Sequence, residues 1–353
     1  MKKILDKKIN LGVIFGGMST ENEVSCISGV AVINNLNKDK YNIKPIYIDK
    51  SGNWFILKDL QQNAKLGNEL DNREQIENVV EFLKGLDVVF PVLHGMYGED
   101  GTIQGLFEIL KIPYVGCGVL SSSIAMDKIY TKIIFDKIGI NQAKYMDIRK
   151  YNDKYMYVDK NFNFHELELE KIIDIVIEKI KLPVFVKPSN SGSSVGVSKA
   201  HNREELEKAI KEASKFDKKI LVEEAIVGKE LECAVLGNEE PEVSCVGEIK
   251  SAEDFYSYDA KYNNQDSRTI IPAKIPEEKS LEIKELAKKA FKAIDGKGLS
   301  RVDFFMQDKT QKIYINEINT MPGFTNISMY PKLFMHEGIK YSDLLDKLIQ
   351  LAQ

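Results

Sequence analysis

Leu11-Gly-Val-Ile-Phe-Gly-Gly-Met-Ser-Thr-Glu-Asn-Glu-Val-Ser25 decides how the chain begins to fold. An apolar run ends in Gly16-Gly17, and helical spacing starts at Val24, so the stretch reads as a strand, a tight turn and a helix N-terminus. Backbone N–H groups freed at such a junction attract anions. Ser19 or Thr20 can cap the helix, and Glu21 stands ready to pair with an ammonium. A dinucleotide fingerprint would need G-x-G-x-x-G after the strand, which is absent here. Gly116-x-Gly118 lacks its third glycine too, because Ser121 stands in that place. A nicotinamide oxidoreductase therefore loses its main support.

Moving outward, short apolar runs alternate with amphipathic stretches as far as about Gly118. Strands are predicted at Asn10 to Phe15, Ile43 to Ile48, Leu86 to Leu93 and Ile112 to Val115, and helices at Val24 to Leu36, Glu74 to Leu83 and Ile103 to Leu110. This alternation predicts an α/β unit with a largely parallel sheet, whose ligands sit at the carboxyl ends of the strands. Gly16-Gly17 and His94-Gly95 both fall there. A helix is expected from Ser122 to Ile138, and the polar, tyrosine-rich stretch Lys150 to His165 reads as a surface insertion without periodicity. A mixed unit follows: a helix at Leu167 to Ile180, a strand at Pro183 to Lys187, a helix at Arg203 to Ala213 and a strand at Lys219 to Glu224. The remainder reads as strands at Glu230 to Leu236, Glu242 to Lys250, Ser300 to Met306 and Lys312 to Glu317, a helix at Pro276 to Ile294 and a C-terminal helix.

The length, 353 residues, suits two or three domains. With 43% hydrophobic and 29% charged residues the composition is that of a soluble globular protein. Lys plus Arg is 49 against Asp plus Glu 53, so there is no basic surplus for a nucleic-acid backbone. No apolar run is long enough for a membrane span or a signal-peptide core, and a cytoplasmic location is expected. The spacing of Cys26, Cys117, Cys233 and Cys245 predicts buried reduced thiols, and four scattered histidines argue against a zinc centre.

Five segments can carry chemistry. Lys187-Pro-Ser-Asn-Ser-Gly-Ser-Ser-Val-Gly196 combines an ammonium, hydroxyls and glycine-freed amides, a cradle for polyphosphate oxygens, although the same composition also suits a flexible surface turn. It is not a Walker A loop, since G-x-x-x-x-G-K-[ST] is absent. Period-two alternation places Arg301 with Asp303, and Glu317 with Asn319, on common strand faces. Two carboxylates and an amide oxygen converging there would suit magnesium, while an isolated Arg and Asp would form a solvated pair. Thr320-Met-Pro-Gly-Phe-Thr325 follows at once, and Gly323 can present a bare amide N–H. Glu223 and Glu230 lie near a strand end and a turn, as surface acids or as acceptors for ribose hydroxyls or an adenine amino group. The fourth segment is the strand–Gly-Gly–helix junction itself. Phe255-Tyr-Ser-Tyr-Asp-Ala-Lys-Tyr262 adds a long aromatic loop with the character of a lid, or of a core strand.

Taken in order, these segments resemble the D-alanine:D-alanine ligases of the ATP-grasp superfamily. The shared motifs are Phe15-Gly-Gly-x-Ser-x-Glu-x-Glu-Val-Ser25, His94-Gly with Gly98-Glu-Asp-Gly-Thr-x-Gln-Gly105, Ala125-Met-Asp-Lys128, Val186-Lys-Pro-x-x-x-Gly-Ser-Ser-Val-Gly196, Tyr258-Asp-Ala-Lys-Tyr262, Arg301-Val-Asp303, and Asn316-Glu-x-Asn-Thr-Met-Pro-Gly-Phe-Thr325 with Ser328-Met-Tyr-Pro331. The resemblance implies a Rossmann-like N-terminal domain over 1–120, a central ATP-grasp subdomain over 121–225 and a C-terminal catalytic subdomain over 226–353. It implies an ATP-dependent ligase that joins two D-alanines through a D-alanyl phosphate, for peptidoglycan precursor synthesis.

Carried over by position, Lys128, Lys187, Ser193 and Ser194 would hold nucleotide phosphates, Glu223 and Glu230 would meet adenine or ribose, and Lys261 would approach the γ-phosphate. Asp303, Glu317 and Asn319 would bind two Mg2+ ions, with Mn2+ able to substitute. Arg301 and the Gly323 amide would form an oxyanion hole. Glu21 would hold the first D-alanine's ammonium with His94 near its carboxylate, Ser328 and Met329 would receive the second, and Tyr262 would close the lid onto Ser193. A homodimer without nucleic-acid or membrane partners is implied as well. Asn22 departs from the histidine of many relatives, and Ser257 from their aspartate. Two alternatives stand beside this: a ligase taking D-serine or D-lactate second, and a nucleotide-binding module without catalysis.

Overall fold

The computed structural model describes residues 8–58, 72–250 and 268–353, whose strands form three sheets. In the first, Ile9–Gly16 lies between Tyr41–Ile48 and Val88–Pro91 and runs parallel to both, as the strand–turn–helix alternation predicts. The edge departs from that expectation. Trp54–Leu57 and Arg73–Gln75 add antiparallel strands beyond Tyr41–Ile48. The helix expected from Glu74 starts only at Val79, because the Asn78 side chain accepts the Glu81 N–H at 3.1 Å and caps it there. Ile112 to Val115 forms no strand but a single bridge, Tyr114 to Val89.

The second sheet orders Ser198–Ala200, Val184–Pro188, Lys219–Glu224, Tyr145–Tyr151, Lys154–Val158 and Phe164–Leu167, all antiparallel. The stretch Lys150 to His165 is thus no insertion but two turns and their strands. Asn152 takes the first turn at φ 55°, and Asp159 Oδ1 tightens the second by accepting the Asn161 and Asn163 N–H groups. Tyr155, Tyr157 and Leu167 then pack on the core under the helix Leu169–Lys179. Alternate tyrosines on one face carry that signal, and turn chemistry hides it.

The third sheet orders Arg268–Ile270, Gly247–Lys250, Gly228–Leu236, Leu299–Gln307 and Ile313–Asn319, with Glu242–Val243 pairing alongside Gly228–Leu236. The single helix expected from Ser122 to Ile138 is two, Val119–Met126 and Lys128–Lys137. Asp127 interrupts them in extended conformation and accepts the Tyr130 N–H. The C-terminal helix is likewise divided, at Gly338 with φ 92°, into Met329–His336 and Tyr341–Leu351.

One apolar cluster joins Leu11, Phe15 and Phe90 of the first sheet to Phe324, Tyr330, Leu344 and Leu348. This shared burial holds the carboxyl ends of the first sheet against the turn after Asn319. All four thiols are free, and burial pushes those of Cys26 and Cys117 up to about 12, which keeps them protonated and unreactive. Among the described residues no helix is long and apolar enough to cross a membrane.

The helix Asn22–Asn35 crosses the first sheet most closely at Gly29, where an added Cβ would stand 2.6 Å from Phe15 Cβ and Cγ. Gly29→Val is expected to destabilise the fold by about 1–3 kcal/mol through overpacking, read from the midpoint of urea unfolding.

Candidate active site

A cleft of about 600 Å³ takes its walls from the second and third sheets and from the segments that follow Ile9–Gly16 and Val88–Pro91 of the first. Antiparallel pairing sets Arg301 opposite Asn319 and Asp303 opposite Glu317, and the strand on the other side sets Glu232 opposite Asp303. Opposed residues in such a ladder share a face. The predicted quartet therefore does converge. Arg301 Nε donates to Asp303 Oδ1 at 2.8 Å and Nη2 to Oδ2 at 2.7 Å, while Glu232 Oε2 lies 3.1 Å from Nε. Burial works against this charge, but Asp303 and Glu232 outweigh it and hold the guanidinium far above its ordinary pKa, so it is charged at every working pH. Glu232 is absent from the residues that the sequence pattern singles out. Its signal is the Glu230-x-Glu232 spacing, legible only once the strand is known to adjoin Arg301.

Asp303, Glu317 and Asn319 fit a hard divalent cation: two carboxylates and an amide on one sheet face, lining the cleft. The Asn319 amide nitrogen donates to Asp303 Oδ2 at 3.1 Å, leaving its carbonyl oxygen as the ligand-type atom.

Behind the serine-rich loop lies a second charged group. Glu223 is buried between Lys132 Nζ at 2.9 Å and Lys187. Burial alone would raise its pKa, yet the two ammonium groups hold it at about 2. Lys187 is desolvated too, but Glu223 keeps it above the usual lysine value and hence fully charged. Lys128, by contrast, is lowered, first by burial, and Lys187 nearby adds to the effect. Its Nζ donates to the Ser191 carbonyl at 2.5 Å, and Asp127 is held beside it by Lys219 and by the Ser189 hydroxyl at 2.5 Å. Lys132 escapes a reading of the sequence because a lysine in an amphipathic helix ordinarily faces solvent.

Glu21 reaches the cleft and accepts a hydrogen bond from Ser193. Its carboxylate is pinched between two glycines: an added Cβ would stand 2.4 Å from Glu21 Oε2 at Gly95 and 2.6 Å at Gly192. Ser193 and Ser194 take left-handed φ values of 48° and 60°, a strained geometry for side-chain-bearing residues that shapes the loop around its prospective ligand. The cap expected from Ser19 or Thr20 is not formed. The Ser19 hydroxyl donates instead to the His94 carbonyl at 2.6 Å, tying two strand ends together. Asn22 donates to the Gly17 carbonyl at 2.6 Å, which gives that departure from the family pattern a structural duty.

His94 and Gly323 both line the cleft. Both His94 ring nitrogens, however, turn into the protein: Nδ1 lies 3.1 Å from the Met321 carbonyl and Nε2 3.0 Å from the Ser28 hydroxyl. Glu99, from the Gly98-Glu-Asp-Gly motif, accepts the Gly95 and Met321 N–H groups at 2.7 and 3.2 Å. Burial, and then the Glu21 charge, push it up to about 8 against the pull of those two N–H groups. Gly323 is confined by Ser328, whose Oγ would stand 2.7 Å from an added Cβ. Ser328 Oγ itself accepts the Thr325 N–H at 3.0 Å. Met329 is 5% exposed and its side chain belongs to the core, so only its backbone is available to a ligand. Glu230 lines the cleft, whereas Lys261, Tyr262 and Ser257 lie outside the described residues.

Two family models match the chain, D-ala D-ala ligase N-terminus over residues 10–117 and D-ala D-ala ligase C-terminus over 134–350. The D-alanine--D-alanine ligase B of Clostridium tetani is 50% identical over 353 residues, covering 99% of this chain and 95% of the relative. Two solved structures superpose closely. The VanG D-Ala:D-Ser ligase from Enterococcus faecalis has a TM-score of 0.83 at 36% identity, covering 98% of this chain and all of that one. The D-alanine-D-alanine ligase from Coxiella burnetii has a TM-score of 0.82 at 34% identity, covering 98% and 95%.

The depressed Glu223 stabilises the fold above the ordinary glutamate value of 4.5, and that contribution is lost as pH falls toward 2. Glu223→Gln should therefore show a shallower acid limb of stability between those values in pH-dependent thermal melts. Lys132→Met, which takes one of its two ammonium partners from Glu223 and leaves Lys187 as the other, should cost about 1.5–3 kcal/mol in the same melts, the worth of a hydrogen bond to a charged group.

Proposed function

Because the chain belongs to the D-ala D-ala ligase family, we propose that it joins two D-alanines at the expense of ATP, yielding D-alanyl-D-alanine for cell-wall precursor synthesis. The observation that carries this is the meeting of Lys128, Lys187, Arg301, Asp303 and Glu317 around one cleft that Glu21 and Gly323 also enter. A free carboxylate resists amines because hydroxide is a poor leaving group. Transfer of the γ-phosphoryl group to a carboxylate oxygen of the first D-alanine releases ADP and makes a mixed anhydride. The amine of the second D-alanine then attacks its carbonyl carbon, and collapse of the tetrahedral adduct expels phosphate as the amine sheds its proton.

Each residue suits one part of that sequence. Lys128, Lys187, Ser193 and Ser194 hold the phosphates, Glu230 the ribose, and Glu223 acts chiefly by keeping Lys187 charged and aimed. Arg301 and the Gly323 N–H offset charge that develops on the carbonyl oxygen, the largest single contribution in acyl transfer of this kind. Glu21 takes the first ammonium, and Ser328 the second carboxylate. By the family resemblance, Lys261 would approach the γ-phosphate and Tyr262 would close the lid. Asp303, Glu317 and Asn319 would hold magnesium, one or two ions, which when bound neutralises phosphate charge. A cytoplasmic homodimer completes the reading.

Purified enzyme with ATP, magnesium and D-alanine should release phosphate and D-alanyl-D-alanine. Greater turnover when D-serine is offered as second substrate would replace this reading by the D-Ala:D-Ser activity in the name of the VanG relative. Arg301→Lys, which keeps a charge but not the planar fork, should lose on the order of 100-fold in kcat. Glu317→Gln should abolish magnesium-dependent ligation with an unchanged circular dichroism spectrum; near-normal ligation would remove the metal assignment.

A further inference from the structure

We propose that Ser28 is a positioning residue for the Gly323 oxyanion donor, acting as the link of a clasp that holds both ends of the Met321–Phe324 turn. Ser28 is fully buried on the helix Asn22–Asn35, two turns from Glu21, and nothing in the reaction steps above uses it. Its Oγ lies 3.0 Å from His94 Nε2 and accepts the Phe324 N–H at 3.2 Å.

The proton positions follow from the partners. A carbonyl only accepts, so His94 Nδ1, 3.1 Å from the Met321 oxygen, must carry the proton. In the neutral ring Nε2 is then an acceptor, and the Ser28 hydroxyl donates to it. That leaves a Ser28 lone pair for Phe324 N–H. Burial, with Arg301 acting the same way, favours the neutral ring against the opposing pull of Glu21 and the Met321 carbonyl. Glu99, from the segment after Val88–Pro91, also faces this turn, and burial and the Glu21 charge push it toward its protonated form.

The turn is thereby pinned at four backbone atoms. Met321 has its N–H on Glu99 and its carbonyl on His94; Phe324 has its N–H on Ser28 and its carbonyl on the Tyr341 hydroxyl at 2.5 Å. Between the pins stand Pro322, which has no N–H, and Gly323, whose N–H none of the four pins uses; both residues line the cleft. Removing Ser28 releases the Phe324 pin and the ring orientation together, so the amide loses its aim while the nucleotide side of the cleft is untouched.

The inference rests on the ligase reading, and the test separates the two. Ser28→Ala should lower kcat by about 10- to 100-fold, with KM for ATP within about twofold of wild type, and Ser28→Thr, which keeps the hydroxyl, should recover most of the loss. His94→Gln combined with Ser28→Ala should cost no more than the worse single change, since both break one clasp. Independently of activity, nitrogen-15 NMR of the imidazole should show His94 neutral with the proton on Nδ1, and a changed ring signal in Ser28→Ala. An unchanged kcat in folded Ser28→Ala, a loss that appears only as lower thermal stability, or a proton on Nε2 would each overturn the proposal. A wild type that turns over no D-amino acid yet shows the Nδ1–H ring would overturn the ligase reading, and the catalytic role of Ser28 with it, while leaving the clasp standing.

Discussion

A guanidinium buried in the middle of a sheet has to be matched on the spot, and Arg301 is matched by carboxylates from its own strand and from the strand beside it. That requirement sets much of the rest. Asp303 must lie two residues along to share the face, Glu232 must face it across one ladder, and Glu317 and Asn319 then complete the same face across the other. An oxygen cluster of the kind that suits a hard cation and a guanidinium thus arise side by side from one strand register. Slipping that register by one residue would send every one of these groups to the opposite side.

The lysine-bearing side of the cleft uses the same device with opposite signs. Glu223 is an acid buried between two bases, and its worth lies in keeping Lys187 charged where desolvation alone would favour losing the proton. Lys128 is depressed by the same burial, which together with the Lys187 charge outweighs the pull of Glu317. Two lysines with different electrostatic surroundings therefore present to one polyphosphate-sized cavity. The buried Glu223 charge is tolerated because two ammonium groups match it, and loss of Glu223 would take that acid from both lysines.

The third organising fact is the core shared by the first sheet and the C-terminal helices. Phe90 meets Phe324 edge to face with ring centroids 5.5 Å apart, and Phe324 meets Tyr330 at the same distance. The turn that carries Gly323 is consequently built on the floor of one sheet and delivered to the active face of another. Its precision depends on apolar packing beneath it and on the four backbone hydrogen bonds that hold its ends.

Local rules make a good part of this legible in the amino-acid order itself. Period-two alternation puts Arg301 with Asp303 and Glu317 with Asn319, and the strand–Gly-Gly–helix junction at Gly16 announces a parallel sheet, because both depend only on neighbours in the chain. The ordered motifs point to the ligase family and to many of the charged residues that line the cleft. What adjacency does not encode stays hidden: the Asp127 break, whose carboxyl is held by Lys219 and Ser189, the burial of Lys132, and Glu232 beside Arg301. Ser28 and Phe324 are 296 residues apart, and His94 and Met321 are 227. A serine in an apolar helix has no visible partner in one dimension. Only the packing of the first sheet against the C-terminal core brings its hydroxyl to a peptide N–H, and a hydrogen bond needs that approach to within about 3 Å.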